Sequence, residues 1–379
     1  NSMFRLWLFF VILQFLLSVG VVFAKDIKSY SEIPEDANPN YEVLEHYLKK
    51  YISYSDIKNR PYKFTITPNN PKELILDLTT DEYVIKQLNK TSMISYLMYE
   101  DGEIVIDEIT PKDRFGHLFT NETLWVSNSA GKSIMSYVYG HAVCRGHVDG
   151  IHQTMNWDIL ENTLYEGQPI INILNMAPGD KKVKIKRNIN MSSLESLLET
   201  EYKNVKATKS KYNYNNVNTN LIASYPLYKM GLNEYEKMLN EIFADKIGIE
   251  HNVVFYKPRE AGKDEASVTY GMHISRYDYL RIAIAMLNDW NNNTCEGQYL
   301  KSLYENKIKK NEDYRNKNEA FSKPKYYAGQ FHTFKNKKIF VLDGYGGQTI
   351  SIDFDNNTII STLAIHRDFN WMKLVHSKF

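Results

Sequence analysis

The chain has 379 residues, of which 43% are hydrophobic and 24% are charged, so it can bury the core of one large two-lobed domain or of two ordinary ones. Its 46 Lys and Arg residues offset 45 Asp and Glu residues and leave a formal net charge of +1. This balance lacks the basic excess that is typical of nucleic-acid binding, so no nucleic-acid partner is predicted.

The N-terminal segment predicts a secretory signal peptide at residues 1–24. Arg5 gives the start a positive charge, an apolar run extends from Leu6 to Phe23, and Ala24 is a small residue of the kind that precedes a cleavage site. The run is also near the length of a membrane span, so an uncleaved anchor is the alternative. Both interpretations place the remaining chain outside the cytoplasm, as a periplasmic or secreted protein or one anchored in the inner membrane. This segment is the only predicted contact with a membrane.

The sequence pattern of residues 25–379 predicts a single domain with strands at both ends and helices in the middle. Asp101-Gly102 suits a tight hairpin turn because Gly accepts a positive φ. One sheet built from about 25–125 and 255–379, with a helical lobe at about 126–254, is the simplest arrangement. In chain order the predicted elements are a helix at Tyr41–Tyr54, hairpin strands at Met93–Tyr99 and Glu103–Ile109, a helix at Ser129–Arg145, a helix that Asn233 caps and that runs to Asp245, a helix from a capping box of Ser275 and Asp278 to about Trp290, and strands at Ile339–Leu342, Thr349–Phe354 and Thr358–His366.

Cys144 and Cys295 are the only cysteines in the sequence. In an oxidising compartment they can form a disulfide. Two isolated cysteines in a large domain are more often separate buried hydrophobes, so pairing is the less favoured of two open interpretations. Their spacing does not indicate a metal site.

The strongest local signal is Ser129-Ala130-Gly131-Lys132 at the start of a predicted helix. Positions three apart share a helix face, so the amine of Lys132 can reach the hydroxyl of Ser129 and relay its proton. A serine hydroxyl is a weak nucleophile until a base takes that proton, and the helix N-terminus favours developing negative charge. Alone, this pattern is also that of an ordinary helix N-cap followed by a solvated lysine.

Two further stretches have chemistry that suits a Ser–Lys pair. Tyr214-Asn215-Asn216 offers a phenol that can act as a base and an amide that can orient the lysine or a substrate carbonyl. Tyr345-Gly346-Gly347 precedes Gln348 at the start of a strand, where glycines allow a substrate to approach and a backbone N–H can complete an oxyanion hole. Each taken singly is also a polar loop or a glycine-rich turn.

The order of these three motifs resembles the serine β-lactamase and penicillin-binding protein superfamily, and within it the class C-type branch with its esterases and 6-aminohexanoate-oligomer hydrolases. The similarity covers most of the mature chain and includes Ile173–Asp180 and Ile247–Ile249, which are similar to segments of that family. It implies an α/β (α+β) fold with an antiparallel sheet flanked by helices, an inserted all-helical lobe, and an active site between them.

The resemblance also implies a role for each site residue. Ser129 would be acylated by a small-molecule ester or linear amide, with Lys132 and Tyr214 as proton-transfer groups and Asn216 beside the lysine. Tyr345 and Gly347 would form the third motif, and the backbone N–H groups of Ser129 and Gln348 would bind the oxyanion. No metal or organic cofactor is expected for this mechanism.

The third motif departs from the family, because Tyr345-Gly346-Gly347 replaces the Lys-Thr-Gly that β-lactamases and transpeptidases use to bind a carboxylate. This favours an esterase or amidase over the alternatives, a β-lactamase or D-Ala-D-Ala carboxypeptidase and a non-catalytic sensor module. The sequence does not define the substrate, which depends on loops predicted at 146–170 and 295–325, or the oligomeric state. Four histidines are expected to be core or surface residues rather than catalytic ones: His141, His147, His152 and His332.

Overall fold

The computed structural model describes residues 33, 38–52, 62–189, 191–262, 265–310 and 323–379. The predicted signal peptide at 1–24 lies outside the described residues. The helices are α1 (Tyr41–Ile52), α2 (Glu82–Lys90), α3 (Ala130–Cys144), α4 (Ile170–Leu174), α5 (Leu194–Leu197), α6 (Asn216–Met230), α7 (Leu232–Asn240), α8 (Arg276–Asn291), α9 (Cys295–Glu305) and α10 (Trp371–Leu374). The strands are β1 (Tyr62–Ile66), β2 (Ile75–Leu76), β3 (Met93–Glu100), β4 (Glu103–Ile109), β5 (Trp125–Val126), β6 (Val253–Tyr256), β7 (Met272–Ile274), β8 (Ile308–Lys309), β9 (Tyr326–Ala328), β10 (Phe331–Thr333), β11 (Ile339–Gly344), β12 (Gln348–Asp353) and β13 (Thr358–Ala364).

The larger sheet has nine strands in the order β2-β4-β3-β13-β12-β11-β10-β9-β8. Strands β3 and β13 pair antiparallel along their lengths, so the two ends of the chain meet in the middle of this sheet. The short pairing of β2 with β4 is parallel, and the other pairs are antiparallel. Strands from both the N-terminal and the C-terminal part of the sequence therefore share this sheet.

The turns of the sheet follow the residues that tolerate positive φ. Asp101 (φ 46°) and Gly102 (φ 105°) connect β3 to β4, as a hairpin turn with two left-handed residues requires. Gly346 (φ 88°) and Gly347 (φ 108°) turn β11 into β12, and Asn357 (φ 49°) turns β12 into β13. The predicted hairpin and the predicted C-terminal strands are therefore confirmed.

A second sheet of four strands, in the order β1-β6-β7-β5, was not predicted. Its strands have two to five residues, which is too short for a period-of-two pattern to be visible in the sequence. Strand β5 ends three residues before Ser129, and residues that follow β6 and precede β7 line the same cavity as Ser129. This sheet therefore fixes the start of α3.

Helix α3 is the centre of the molecule, and every residue from Ala130 to Ala142 is buried. A helix that is buried on all sides is surrounded by other elements. It packs against α6, α9 and strand β11, so its first turn is held between helices and sheet.

The two cysteines form a disulfide that joins α3 to α9, with 5.8 Å between the Cα atoms of Cys144 and Cys295. The favoured prediction from the sequence, that the two cysteines are separate buried residues, is therefore wrong. A sequence separation of 151 residues gives no hint of this contact, which depends on how α9 packs on α3. The segment 295–325 was also predicted as a loop, but its first part is the helix α9.

The predicted cap at Asn233 is wrong, and the capping box predicted at Ser275 has the right position but not the expected hydrogen bonds. Helix α7 begins after Gly231, whose positive φ of 80° follows the end of α6, and Asn233 lies inside the helix. Ser275 is the N-cap of α8, but its side chain makes no capping hydrogen bond with this helix. The carboxylate of Asp278 instead accepts hydrogen bonds from Ser275 Oγ and from the backbone N–H of Glu250. Tertiary partners replaced the local capping box in this case.

In the part of the chain that the structure describes, we find no helix with the length and hydrophobicity of a membrane span.

Candidate active site

The turn between β5 and α3 presents Ser129 at the N-terminus of a buried helix. Asn128 has φ 46°, a left-handed conformation that is uncommon for a residue other than glycine and is often found at functional sites. Ser129 is the N-cap residue, but its hydroxyl accepts no capping hydrogen bond from the helix. The hydroxyl is therefore not used as a helix cap. It lies at the N-terminus of α3, where unpaired N–H groups create a positive electrostatic potential.

The turn from β11 to β12 lies against this N-terminus. Asn128 Nδ2 donates to the carbonyl oxygen of Tyr345 at 2.7 Å. A Cβ on Gly344 would lie 2.5 Å from the carbonyl oxygen of Ser127 and 3.2 Å from the backbone nitrogen of Ala130. Only glycine permits this approach, so Gly344 brings the end of β11 beside the nucleophile turn.

Lys132 lies one turn into α3 and is 1% exposed. Its Nζ donates to Asn216 Oδ1 at 2.6 Å, and it lies 3.1 Å from the ring centroid of Tyr270 and 5.2 Å from that of Tyr214. Burial lowers the pKa of the Lys132 ammonium well below its usual range, because the interior disfavours the charged form. A neutral amine at this position can accept a proton from a hydroxyl.

Tyr270 had no signal in the sequence, and its position depends on a second close approach. A Cβ on Gly131 would clash with the carbonyl oxygen of Tyr270, so a larger residue there would push the β6–β7 loop off the helix. Glycine at this position therefore allows the Tyr270 ring to cover Lys132. The ring excludes water from the amine on that side.

A buried carboxylate holds the segment that carries Tyr214 and Asn216. Asp180 is 1% exposed and accepts hydrogen bonds from Asn213 Nδ2 at 2.8 Å, Asn215 Nδ2 at 3.0 Å and Asn218 Nδ2 at 3.2 Å. Burial raises the pKa of Asp180, while these three amides act in the opposite direction. The residues on either side of Tyr214 thus bind Asp180, which fixes the direction of the intervening tyrosine.

Four of the predicted site residues line one cavity of about 740 Å³: Ser129, Tyr214, Asn216 and Tyr345. Lys132 lies directly behind Asn216. The three distant stretches of sequence therefore converge on one site.

Gly347 and Gln348 do not belong to the described lining of the cavity. A Cβ on Gly347 would meet Phe369 and Ala364, on the other side of the turn, and Gln348 is 1% exposed in β12 opposite Gly344. Gly344 and Tyr345 are the residues of this turn that contact the segment around Ser129, and the role of Gly347 and Gln348 in the site stays a prediction. A three-residue turn of this kind does not show from its sequence which residue faces the nucleophile.

This chain has similar solved structures but no matching family model or curated sequence. A protein from Bacillus anthracis described as a 6-aminohexanoate-dimer hydrolase superposes with a TM-score of 0.63 at 15% identity, over 86% of this chain and 90% of its own. A class C β-lactamase mutant gives 0.54 at 14% identity over 91% and 100%, and FmtA from Staphylococcus aureus gives 0.53 at 12% identity over 90% and 96%. The chain has the serine β-lactamase fold.

The β-lactamase fold confirms the architecture that the order of the motifs predicted, and at these identities it establishes the architecture alone. The chemistry follows from the residues of the site. The turn that contains Tyr345 has no lysine, and the hydroxyl of Tyr345 donates to the carbonyl of Ile33.

None of the four histidines is among the described residues that line the cavity of this β-lactamase fold. His147 and His152 are exposed. His141 is buried against the carbonyl of Tyr137, and burial lowers its pKa to about 3. His332 is buried beside Lys310, and burial lowers its pKa as well. Among the described residues, no group of three His, Cys, Asp or Glu side chains could hold a metal ion.

Proposed function

We propose that the chain is an exported serine hydrolase that cleaves an ester or a linear amide through an acyl-enzyme on Ser129. One observation carries the proposal. Ser129 and Tyr214 line the same cavity, and directly behind it a buried Lys132 with a lowered pKa donates a hydrogen bond to Asn216. A nucleophile, a phenol and an amine held around one pocket are the groups that acyl transfer requires.

In the acylation step that we propose, the oxygen of Ser129 attacks the substrate carbonyl carbon while its proton passes to the neutral amine of Lys132. The bond from that carbon to the leaving oxygen or nitrogen then breaks, and Tyr214 delivers a proton to the leaving group. The Tyr214 phenolate and the Lys132 ammonium remain. In deacylation a water molecule gives a proton to the Tyr214 phenolate and attacks the ester carbon. The bond from that carbon to Ser129 breaks, the acid leaves, and the Ser129 oxygen takes a proton back from the Lys132 ammonium. Protons and bonds are conserved over the cycle.

The negative oxygen that develops on the carbonyl needs preorganised donors. The backbone N–H of Ser129 at the start of α3 is one. We assign the second to the backbone N–H of Tyr345, because Tyr345 lines the cavity and its carbonyl is held by Asn128. The N–H of Gln348 at the start of β12 is the second candidate for this donor.

Export is part of the proposal and has support in the chain. The disulfide between Cys144 and Cys295 is of the kind that persists in oxidising compartments. The apolar N-terminal run of the sequence agrees with this, either as a cleaved signal or as an anchor.

The test is active-site labelling of the folded protein with a fluorophosphonate probe, with the modified peptide identified by mass spectrometry. We expect a single adduct on Ser129, its loss in Ser129→Ala, and normal labelling in Ser133→Ala, a serine of the same helix whose hydroxyl donates to the carbonyl of Gln330 at 2.6 Å. A folded wild-type protein that is not labelled, or is labelled equally as Ser129→Ala, would refute the proposal.

Substrate class is tested with p-nitrophenyl esters, short amide oligomers and nitrocefin, each against wild type and Ser129→Ala. We expect ester or amide turnover that exceeds nitrocefin turnover, since the third motif lacks a lysine. A higher kcat/KM for nitrocefin would assign the site to β-lactams instead.

A further inference from the structure

The cavity beside Ser129 has an uneven charge. Three of the described residues that line it are cationic, namely Lys50, Lys257 and Arg259. No Asp or Glu is among the described lining residues. A cleft lined by one sign of charge concentrates ligands of the opposite sign, because low-dielectric walls focus its field. This lining therefore favours a negatively charged ligand.

The three cations reach the cavity from two separate elements. Lys50 is near the end of α1, and Lys257 and Arg259 follow strand β6. The Nζ of Lys257 donates to the carbonyl oxygens of Pro258 and Ala261, which ties the start of the β6–β7 loop together. The cavity thus has a cationic wall formed by Lys50 of α1 and by two residues that follow β6.

The nearest acidic neighbour in the sequence does not neutralise this wall. Glu260 lies beside Arg259 but pairs with Arg187, whose guanidinium is 2.8 Å from the Glu260 carboxylate. Arg259 is exposed, and its planar guanidinium can hold a carboxylate or a phosphate through two parallel hydrogen bonds. Glu260 therefore leaves the charge of Arg259 available at the cavity that it lines.

We propose that the substrate of this site carries an anionic group, a carboxylate or a phosphate, and that Arg259 and Lys257, with Lys50, bind that group while Ser129 attacks the scissile carbonyl. This rests on the proposed hydrolase function and extends it to a substrate class. These cations belong to α1 and to the segment after β6. They would bind the anionic group of the substrate, because the turn at Tyr345 has no cationic side chain.

The experiment compares p-nitrophenyl esters of similar length that differ in the charge at the far end. They are mono-p-nitrophenyl adipate (anionic), p-nitrophenyl hexanoate (neutral) and p-nitrophenyl 5-(trimethylammonio)pentanoate (cationic), with p-nitrophenyl 5-phosphonopentanoate to separate phosphate-like from carboxylate recognition. We expect kcat/KM for the adipate or the phosphonate ester to exceed that for the hexanoate ester by about tenfold or more, the typical effect of one charged hydrogen bond.

Two substitutions and a matched control test the assignment to the wall. Arg259→Met is expected to lower the anionic-to-neutral ratio about tenfold, and Arg259→Glu to lower it further. Lys229→Met removes one exposed positive charge outside the cavity and should leave the ratio unchanged. A wild-type preference for the neutral or the cationic ester, or an unchanged ratio in Arg259→Met, would overturn the proposal.

Failure of the hydrolase proposal is recognised separately. If fluorophosphonate labels Ser129 but the esters show no anionic preference, only the anion proposal falls. If Ser129 is not labelled and no ester is cleaved, calorimetric binding of adipate to Ser129→Ala decides the anion site alone. Binding that weakens about tenfold when Arg259→Met is added supports it, and absent or unchanged binding overturns it.

Discussion

Asp180 gives the sharpest test of how the site is held, because it touches the tyrosine segment without lining the cavity. One carboxylate oxygen accepts from Asn213, and the other accepts from Asn215 and Asn218. Replacing Asp180 by Asn keeps the size but turns one acceptor into a donor. In its better orientation the new amide keeps two of these bonds and faces the third donor with an N–H group.

The magnitude follows from that single lost bond. A hydrogen bond to a charged group contributes about 1.5–3 kcal/mol, so the ordered arrangement of the tyrosine segment should become about tenfold to hundredfold less favourable. We expect kcat/KM to fall by this factor. The unfolding temperature should change little, because burial already raises the pKa of Asp180 and a neutral amide removes the cost of burying a charge.

The assay combines steady-state hydrolysis of a p-nitrophenyl ester at low temperature with thermal unfolding. Asp158→Asn, an exposed aspartate outside the cavity, is the control and should match wild type in both. If Asp180→Asn retained kcat/KM within twofold of wild type, Asp180 would not position Tyr214. If activity fell only in proportion to the folded fraction, its role would be general stability.

Three further predictions concern the base, the disulfide and the close approach of β11. Lys132→Met should lower kcat/KM by about a thousandfold and raise the free energy of unfolding by about 1 kcal/mol, because it removes both the proton acceptor and a buried amine. In wild type kcat/KM should rise with pH through the lowered pKa of Lys132, since only the neutral amine accepts a proton, so this limb should lie on the acid side of the ordinary lysine range; a pH–rate profile checks it. Reducing Cys144–Cys295, or replacing both by Ser, should cost about 5 kcal/mol in denaturant unfolding, the loop-closure value for a separation of 151 residues, and a loss under about 1 kcal/mol would contradict the chain-entropy argument. Gly344→Ala should lower kcat/KM about a hundredfold, because its Cβ would lie 2.5 Å from a backbone oxygen, whereas Gly150→Ala, with no heavy atom within 4 Å of its Cβ, should leave kcat/KM unchanged.

Local patterns predicted the parts of the fold that local physics specifies. The strands Met93–Glu100 and Glu103–Ile109 meet at an Asp-Gly turn, and the C-terminal strands are separated by Gly or Asn at positive φ. The helix after Ser129 was visible from its spacing of apolar residues. These features need only neighbouring residues, so a single sequence carries them.

Helix caps and the small sheet show where local patterns fail. Asp278 was predicted to cap its own helix, but its carboxylate bonds the backbone of Glu250 instead. The four-stranded sheet pairs β1 with β6 and β5 with β7, segments separated by well over a hundred residues, and its strands are too short to show alternation. The predicted division into a sheet lobe and a helical lobe stays a prediction.

The sequence by itself determined the chemistry that is available: a Ser-x-x-Lys helix start, a Tyr-x-Asn segment and a glycine-rich turn, in an order that indicated the fold. Only the tertiary structure decided which of these groups share a cavity and what surrounds them. It buried Lys132 under Tyr270, tied the tyrosine segment to Asp180, and lined the cavity with cations from α1 and from the loop after β6. The physical reason is that burial and proximity depend on contacts between distant segments. Those contacts set the pKa of an amine and the charge of a cavity, and no spacing within one motif encodes them.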